Sequence, residues 1–250
     1  MDKRRPSLIF LGRILKMKDD FLEDEPIKYI EERRLVTTLI SLKAPRFAYF
    51  RSAYFCFFII LVTFAYWKNF LGLADQMAVS QDRLLQHSEY WRMFTATLIH
   101  SNTGHLLSNL PLLFIFGTFL YAYFGVWLFP VLSFVLAGFV NLFTVLAYPS
   151  TSFLLGASGM VYLVGGLWLG LYWNIQRQYN HFQRSVRVFG VTLILFFPTS
   201  FEPQVSYRAH FYGLIAGVIL GFIYFYKKKD YIRSFERYKV QYVEELPVFH

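Results

Sequence analysis

Between about residues 52 and 226 apolar residues gather into runs of helix-spanning length, separated by short polar breaks, while both ends of the chain are charged and soluble in character. A helix needs about 20 predominantly apolar residues to cross a hydrocarbon core. On that measure the pattern predicts six spans, at about 52–72, 104–125, 127–148, 156–173, 187–202 and 207–226. The expected fold class is all-α: a polytopic membrane protein built as a six-helix bundle. A tail over 1–51 precedes the 52–226 core and a tail over 227–250 follows it. The turn-forming run Tyr148-Pro149-Ser150-Thr151-Ser152 ends the third span, and the fourth opens on Gly156-Ala157-Ser158-Gly159.

Composition agrees with lipid as the solvent: 56% of residues are hydrophobic, 21% aromatic and only 16% charged. The net charge of +9 could suggest nucleic acid, but the basic residues lie mainly in the tails and one loop rather than on a readable basic helix, so no nucleic-acid partner is expected. Of the 25 Lys and Arg residues, 21 fall on the side of the two tails and the Arg177–Arg187 loop. The opposite side has only Lys68, Arg83, Arg92 and Arg208. The positive-inside rule then puts both termini in the cytoplasm, as an even number of spans requires. The 73–103 connection lies outside and looks partly embedded, with Trp91 and Arg92 at the interface. Lys3-Arg4-Arg5 is followed by too short an apolar stretch for a cleaved signal, and Leu8, Leu11 and Leu15 suit a surface-hugging tail. The lone Cys56 allows neither an intrachain disulfide nor a cysteine-pair metal site.

Polar side chains inside spans are costly and therefore functional candidates. They cluster here in spans two, four and six, which all run in the same direction, so His105, Asn109, Ser158 and His210 share one depth near the outer face. His105 and Asn109, four apart, lie on one helical face. Their plainer reading is a pair of interhelical hydrogen bonds. Ser158 alone would be an ordinary small residue at a helix interface. Gly156 and Gly159 around it change that reading, because they let a substrate backbone approach a helix start whose free N–H groups face developing negative charge. His210 opens a run with Gly213, Gly217 and Gly221, a smooth stripe for tight packing against the fourth span. Such packing would bring His210 to Ser158 as its base, with Tyr162 placed one turn on to stack on the imidazole.

At these residues the sequence resembles the rhomboid family of intramembrane serine proteases, over about Glu89 to Gly221. Glu89-Tyr90-Trp91-Arg92 is similar to the family's first-loop motif, and His100 with His105 and Asn109 to its second-helix motif. Gly156-Ala157-Ser158-Gly159 matches its GxSG, and His210 with Gly213 and Gly217 resembles its sixth-helix motif. The resemblance implies a rhomboid-like six-helix core and a Ser158–His210 dyad. It also implies an oxyanion pocket from His105, Asn109 and the Ser158 N–H, and a water-filled cavity open to the outer face. His100, Trp91 and Arg92 are architectural by the same comparison. Inactive relatives lack the serine or histidine or carry proline before the serine, whereas Ala157 precedes Ser158 here. The bare six-helix form resembles the bacterial type, so a bacterial inner membrane is expected.

The function expected is intramembrane endopeptidase action on the transmembrane segments of membrane proteins, without a cofactor. The alternative is a non-catalytic rhomboid-like protein that binds membrane helices for quality control. A metalloenzyme using His100, His105 and His210 is disfavoured, because there is no HExxH and His100 and His105 do not share a face. A solute transporter is disfavoured because no charge lies mid-span and no matched broken helices occur.

Overall fold

The computed structural model describes residues 29–196 and 205–244. Two long apolar runs become 22-residue helices, α1 (Arg46–Trp67) and α5 (Thr103–Phe124). Three short helices, α2 (Leu73–Gln76), α3 (Gln81–Leu85) and α4 (Arg92–Thr95), fill the connection between them. The irregular turns of Trp127–Leu132 lead into α6 (Ser133–Leu146), and α7 (Ser158–Ile175), α8 (His181–Phe196), α9 (Tyr207–Lys227) and the short α10 (Lys229–Arg233) follow.

Four of these helical stretches, Arg46–Trp67, Thr103–Phe124, Trp127–Leu146 and Tyr207–Lys227, are long and apolar enough to cross a membrane. Their outer faces carry large apolar side chains that a water-soluble protein would bury. On α1 alone Phe50, Tyr54, Phe57 and Phe64 are each about half exposed or more. With lipid as solvent that exposure costs nothing, and the chain is an integral membrane protein. The remaining two predicted spans fall on α7 and α8. Helix α7 is enclosed by α5, α6, α8 and α9, so its sequence uses Gly165, Gly166 and Gly170 for close approach instead of lipid-facing bulk. Helix α8 is described for the 16 residues His181–Phe196, and the end of the predicted 187–202 span lies outside the described residues.

Several boundaries move. The first helix begins at Arg46, after Pro45, rather than at 52, so the last residues of the expected tail are helical. Arg46 and Arg51 are tolerated there because long basic side chains at a helix end reach the interface. Helix α7 begins at Ser158, leaving Gly156 in the preceding loop and Ala157 at the cap. Regular helix in the third span begins only at Ser133. Helix α8 begins at His181 and includes Arg184, whose Nη1 donates to the Trp173 carbonyl at 2.7 Å and caps the C-terminal end of α7.

The tails are not purely helical or unstructured. Strand β1 (Tyr29–Thr37) pairs antiparallel with β2 (Arg237–Glu244), Tyr29 opposite Glu244 and Leu35 opposite Tyr238. The all-α expectation therefore needs this correction: a two-stranded sheet joins the two tails. The pairing also brings residues 29–37 and 237–244 together at one end of the bundle. The expected surface segment around Leu8, Leu11 and Leu15 lies outside the described residues.

Tightest of the helix packings is that of α7 on α9. A methyl group on Gly213, Gly217 or Gly221 would fall on the carbonyl oxygens of Gly159, Leu163 and Leu167. Reciprocally, one on Gly166 or Gly170 would fall on the carbonyls of Leu214 and Val218. Glycines at four-residue spacing on both helices thus bring the two backbones into contact along their length, the arrangement that sets Ser158 and His210 at the same end of the pair.

Candidate active site

Helix α5 starts where Asn102 caps it, its side chain accepting from the His105 N–H at 2.9 Å. That places His105 and Asn109 on the first two turns, where the Asn109 amide donates to the His105 carbonyl at 2.9 Å. Helix α9 starts in the same manner, with Ser206 accepting from Ala209 N–H, and presents His210 on its first turn. Helix α7 presents Ser158 as its first residue, so the backbone N–H groups around Ser158 have no carbonyl one turn earlier to bond.

These starts surround a cavity of about 560 Å³ lined by Ser158, His210, His105, Asn109, Tyr162 and Ser101, among others. Among the described residues its lining includes no carboxylate and no lysine or arginine. The Tyr162 ring stacks on that of His210, with centroids 4.0 Å apart and planes 11° from parallel. The Tyr162 hydroxyl donates to the Phe196 carbonyl of α8 at 2.9 Å, so one residue links the imidazole of α9 to α8. Ser158 and His210 face the same cavity without a direct hydrogen bond, and catalytic pairs commonly tighten only when substrate is engaged.

The loop before Ser158 is held from three sides. Val79 and Leu154 exchange backbone hydrogen bonds, at 3.1 and 2.7 Å. Gly156 N–H donates to the Ala96 carbonyl at 2.8 Å, and Ala157 N–H donates to His100 Nε2 at 3.2 Å. Because a backbone amide can only donate, His100 Nε2 has no proton and the neutral ring carries it on Nδ1. Nδ1–H then donates to Thr63 Oγ1, at 3.2 Å, and Thr63 in turn donates to the Leu98 carbonyl at 3.1 Å. Burial first, and the neighbouring His105 ring second, hold the His100 pKa down to about 3. His100 thus fastens the serine loop to α1 and lies behind the cavity, outside its lining.

Gly156 has φ of +122°, a conformation open to glycine. Its Cα also lies under the His105 imidazole, whose Cε1 would be 2.5 Å from any Cβ there. His105 Nδ1 is paired with Ser101 Oγ at 3.2 Å. Gly213 serves the α7–α9 contact and Gly217 continues it, whereas a Cβ on Gly159 would first meet Val140 and Asn141 of α6.

Trp91 and Arg92 lie away from the cavity. Arg92 is 3% exposed; its Nε donates to Glu89 at 2.6 Å and its Nη1 to the Ala78 carbonyl at 3.1 Å. This hydrogen bond and charge hold the Glu89 carboxyl below the usual carboxylate range. Trp91 is half exposed, its indole N–H directed at the Gln76 carbonyl at 3.4 Å. Both brace the connection between α1 and α5. Sequence reading missed several polar groups in this scaffold. Asn141 of α6 donates to the Met93 carbonyl and to Thr97 Oγ1, and Thr63 and Ser101 hold the two histidines. Asn102 and Ser206 had a legible signal, since each directly precedes an apolar run in the manner of an N-cap.

The Rhomboid domain family matches residues 87–227, more than half of the chain. Rhomboid protease GlpG of Haemophilus influenzae is 33% identical over 147 residues, covering 55% of this chain and 71% of that protein. The rhomboid-protease candidate YdcA of Bacillus subtilis is 25% identical over 181 residues, covering 69% of this chain and 89% of that protein. The matched region holds every residue of the cavity named above, and the chain belongs to the rhomboid family.

Proposed function

We propose that this protein is an intramembrane serine endopeptidase that cleaves transmembrane segments of membrane proteins, with Ser158 as nucleophile and His210 as general base. The observation that carries the reading is the convergence of Ser158, His210, His105 and Asn109 on one polar cavity, from three helices of an apolar bundle. In this reading α7 and α8 complete a six-span core over 52–226, with the tails of 1–51 and 227–250 in the cytoplasm. The β1–β2 pairing supports a common side for both tails. The rhomboid protease names of both relatives support the reaction class.

A substrate segment that unwinds locally offers a carbonyl to Ser158 Oγ. The neutral imidazole of His210 takes the hydroxyl proton as the new C–O bond forms. The tetrahedral oxyanion is met by the Ser158 N–H and the side chains of His105 and Asn109, each donor being worth about 3 kcal/mol in such a site. Asn109 has an amide proton to spare, since only one goes to the His105 carbonyl. Collapse breaks the C–N bond, His210 returns its proton to the leaving amine, and water resolves the acyl-enzyme by the same steps. Among the described residues the lining has no carboxylate, so in this reading the Tyr162 stack orients His210 and the pair works as a dyad.

Replacing Ser158 by Ala is expected to abolish both cleavage of a reconstituted transmembrane substrate and covalent labelling by a fluorophosphonate probe. Labelling that persists in Ser158→Ala would overturn the nucleophile assignment. Wild-type protein that binds transmembrane peptides but neither cleaves nor labels would favour the helix-binding alternative.

A further inference from the structure

At the end of the bundle remote from Ser158 a second cavity, of about 590 Å³, opens between the start of α1, the C-terminal end of α5 and the junction of α9 with α10. Among the described residues its polar lining is distinctive: four phenols, of Tyr121, Tyr123, Tyr224 and Tyr231, with one cation, Lys228, and no carboxylate. Tyr123 donates its hydroxyl to the Leu42 carbonyl at 2.7 Å. Among the described residues no hydrogen bond engages the hydroxyls of Tyr121, Tyr224 or Tyr231, and no ion pair engages Lys228. Tyrosine and lysine side chains at helix ends lie at the height of the lipid headgroups. Below them the outer face of α1 continues with Phe47, Phe50 and Tyr54, which are 57%, 63% and 64% exposed.

We propose that this recess binds the headgroup of an anionic glycerophospholipid. Lys228 meets the phosphate, the free phenols donate to phosphate and glycerol oxygens, and an acyl chain lies along the aromatic face of α1. A lining with one cation and no carboxylate selects an anion. The apolar face that continues from it selects an anion with a hydrocarbon tail over free phosphate. Lys227 and Lys229 flank Lys228 in sequence but do not line the recess. The site is independent of the protease reading.

The test is native mass spectrometry of the full chain in neutral detergent, titrated with dioleoyl phosphatidylglycerol. One lipid per chain is expected at low excess. K228Q should lower its occupancy about tenfold, the worth of one charge-assisted hydrogen bond to the phosphate. K227Q and K228R should bind as wild type does, and inorganic phosphate should not displace the lipid. Equal losses in K227Q and K228Q would reduce the effect to bulk charge and overturn the site. Displacement by inorganic phosphate would make it a soluble-anion site and overturn the lipid assignment.

Discussion

Gly156 lies beneath the imidazole of His105, so close that a Cβ on it would stand 2.5 Å from the ring's Cε1. Its positive φ adds a second reason for glycine. Gly156→Ala is therefore expected to push His105 off the cavity or to tilt the loop that carries Ser158, with backbone strain of about 1–3 kcal/mol. In the proposed mechanism both groups act on the substrate, and displacement of a catalytic group by about 1 Å costs about 100-fold, so turnover of a reconstituted substrate should fall by about that factor while the protein stays folded. Unchanged turnover in Gly156→Ala would show that the His105 position does not matter to the reaction.

His100 predicts a pH dependence whose sign follows from its partners. Ala157 N–H needs an unprotonated Nε2, and the ring's pKa is depressed from 6.5 to about 3 in the folded protein. The unfolded state therefore binds the extra proton first, so the stability from neutral His100 is present above about pH 6.5 and is lost as pH falls toward 3. His100→Gln should melt lower than wild type by about 2–8 °C at pH 7. The gap should narrow as the pH is lowered through that window. A gap constant from pH 7 to 4 would mean that His100 contributes packing alone.

The helical frame and the cavity differ in how far they could be read from sequence. The apolar runs fall on the helices because span length is a local property, and Ser158, His105, Asn109 and His210 could be grouped because alternate spans share direction and depth. The glycines at 213, 217 and 221 could be read as a packing stripe against the fourth span for the same local reason. The β1–β2 sheet was not legible, since Tyr29 and Glu244 meet across most of the chain and neither strand alternates cleanly. The start of α1 at Arg46 was hidden by charges that a helix end accommodates. The roles of Thr63 and Asn141 were hidden because each acts on a segment remote in sequence, a hydrogen bond that no periodicity encodes.

Gly217 separates helix contact from general tolerance of glycine. A methyl group there would fall on the Leu163 carbonyl, and backbone cannot yield as a side-chain tip can. Gly217→Ala should force α7 and α9 apart and destabilise by about 1–3 kcal/mol, the usual cost of overpacking. At Gly190 of α8 a Cβ meets nothing within 4 Å, so Gly190→Ala should be neutral or stabilising by up to about 1 kcal/mol from helix propensity. Thermal unfolding in detergent of both variants beside wild type is the measurement. Equal effects would deny the α7–α9 contact its special place.

Tyr162 makes two contacts that can be taken apart by substitution. Its ring stacks on His210 at 4.0 Å, and its hydroxyl bonds the Phe196 carbonyl at 2.9 Å. Tyr162→Phe keeps the stack and gives up the bond to α8, so its kcat should fall less than about tenfold, the value of one modest hydrogen bond. Tyr162→Ala removes the surface stacked on the imidazole, and misorientation of the proposed base should lower kcat about 100-fold with a smaller change in KM. In the proposed mechanism the same imidazole activates Ser158 in both reactions, so fluorophosphonate labelling rates should follow kcat. If Tyr162→Phe proves as slow as Tyr162→Ala, the tie to α8 governs the rate, and the stacking account of how His210 is oriented fails.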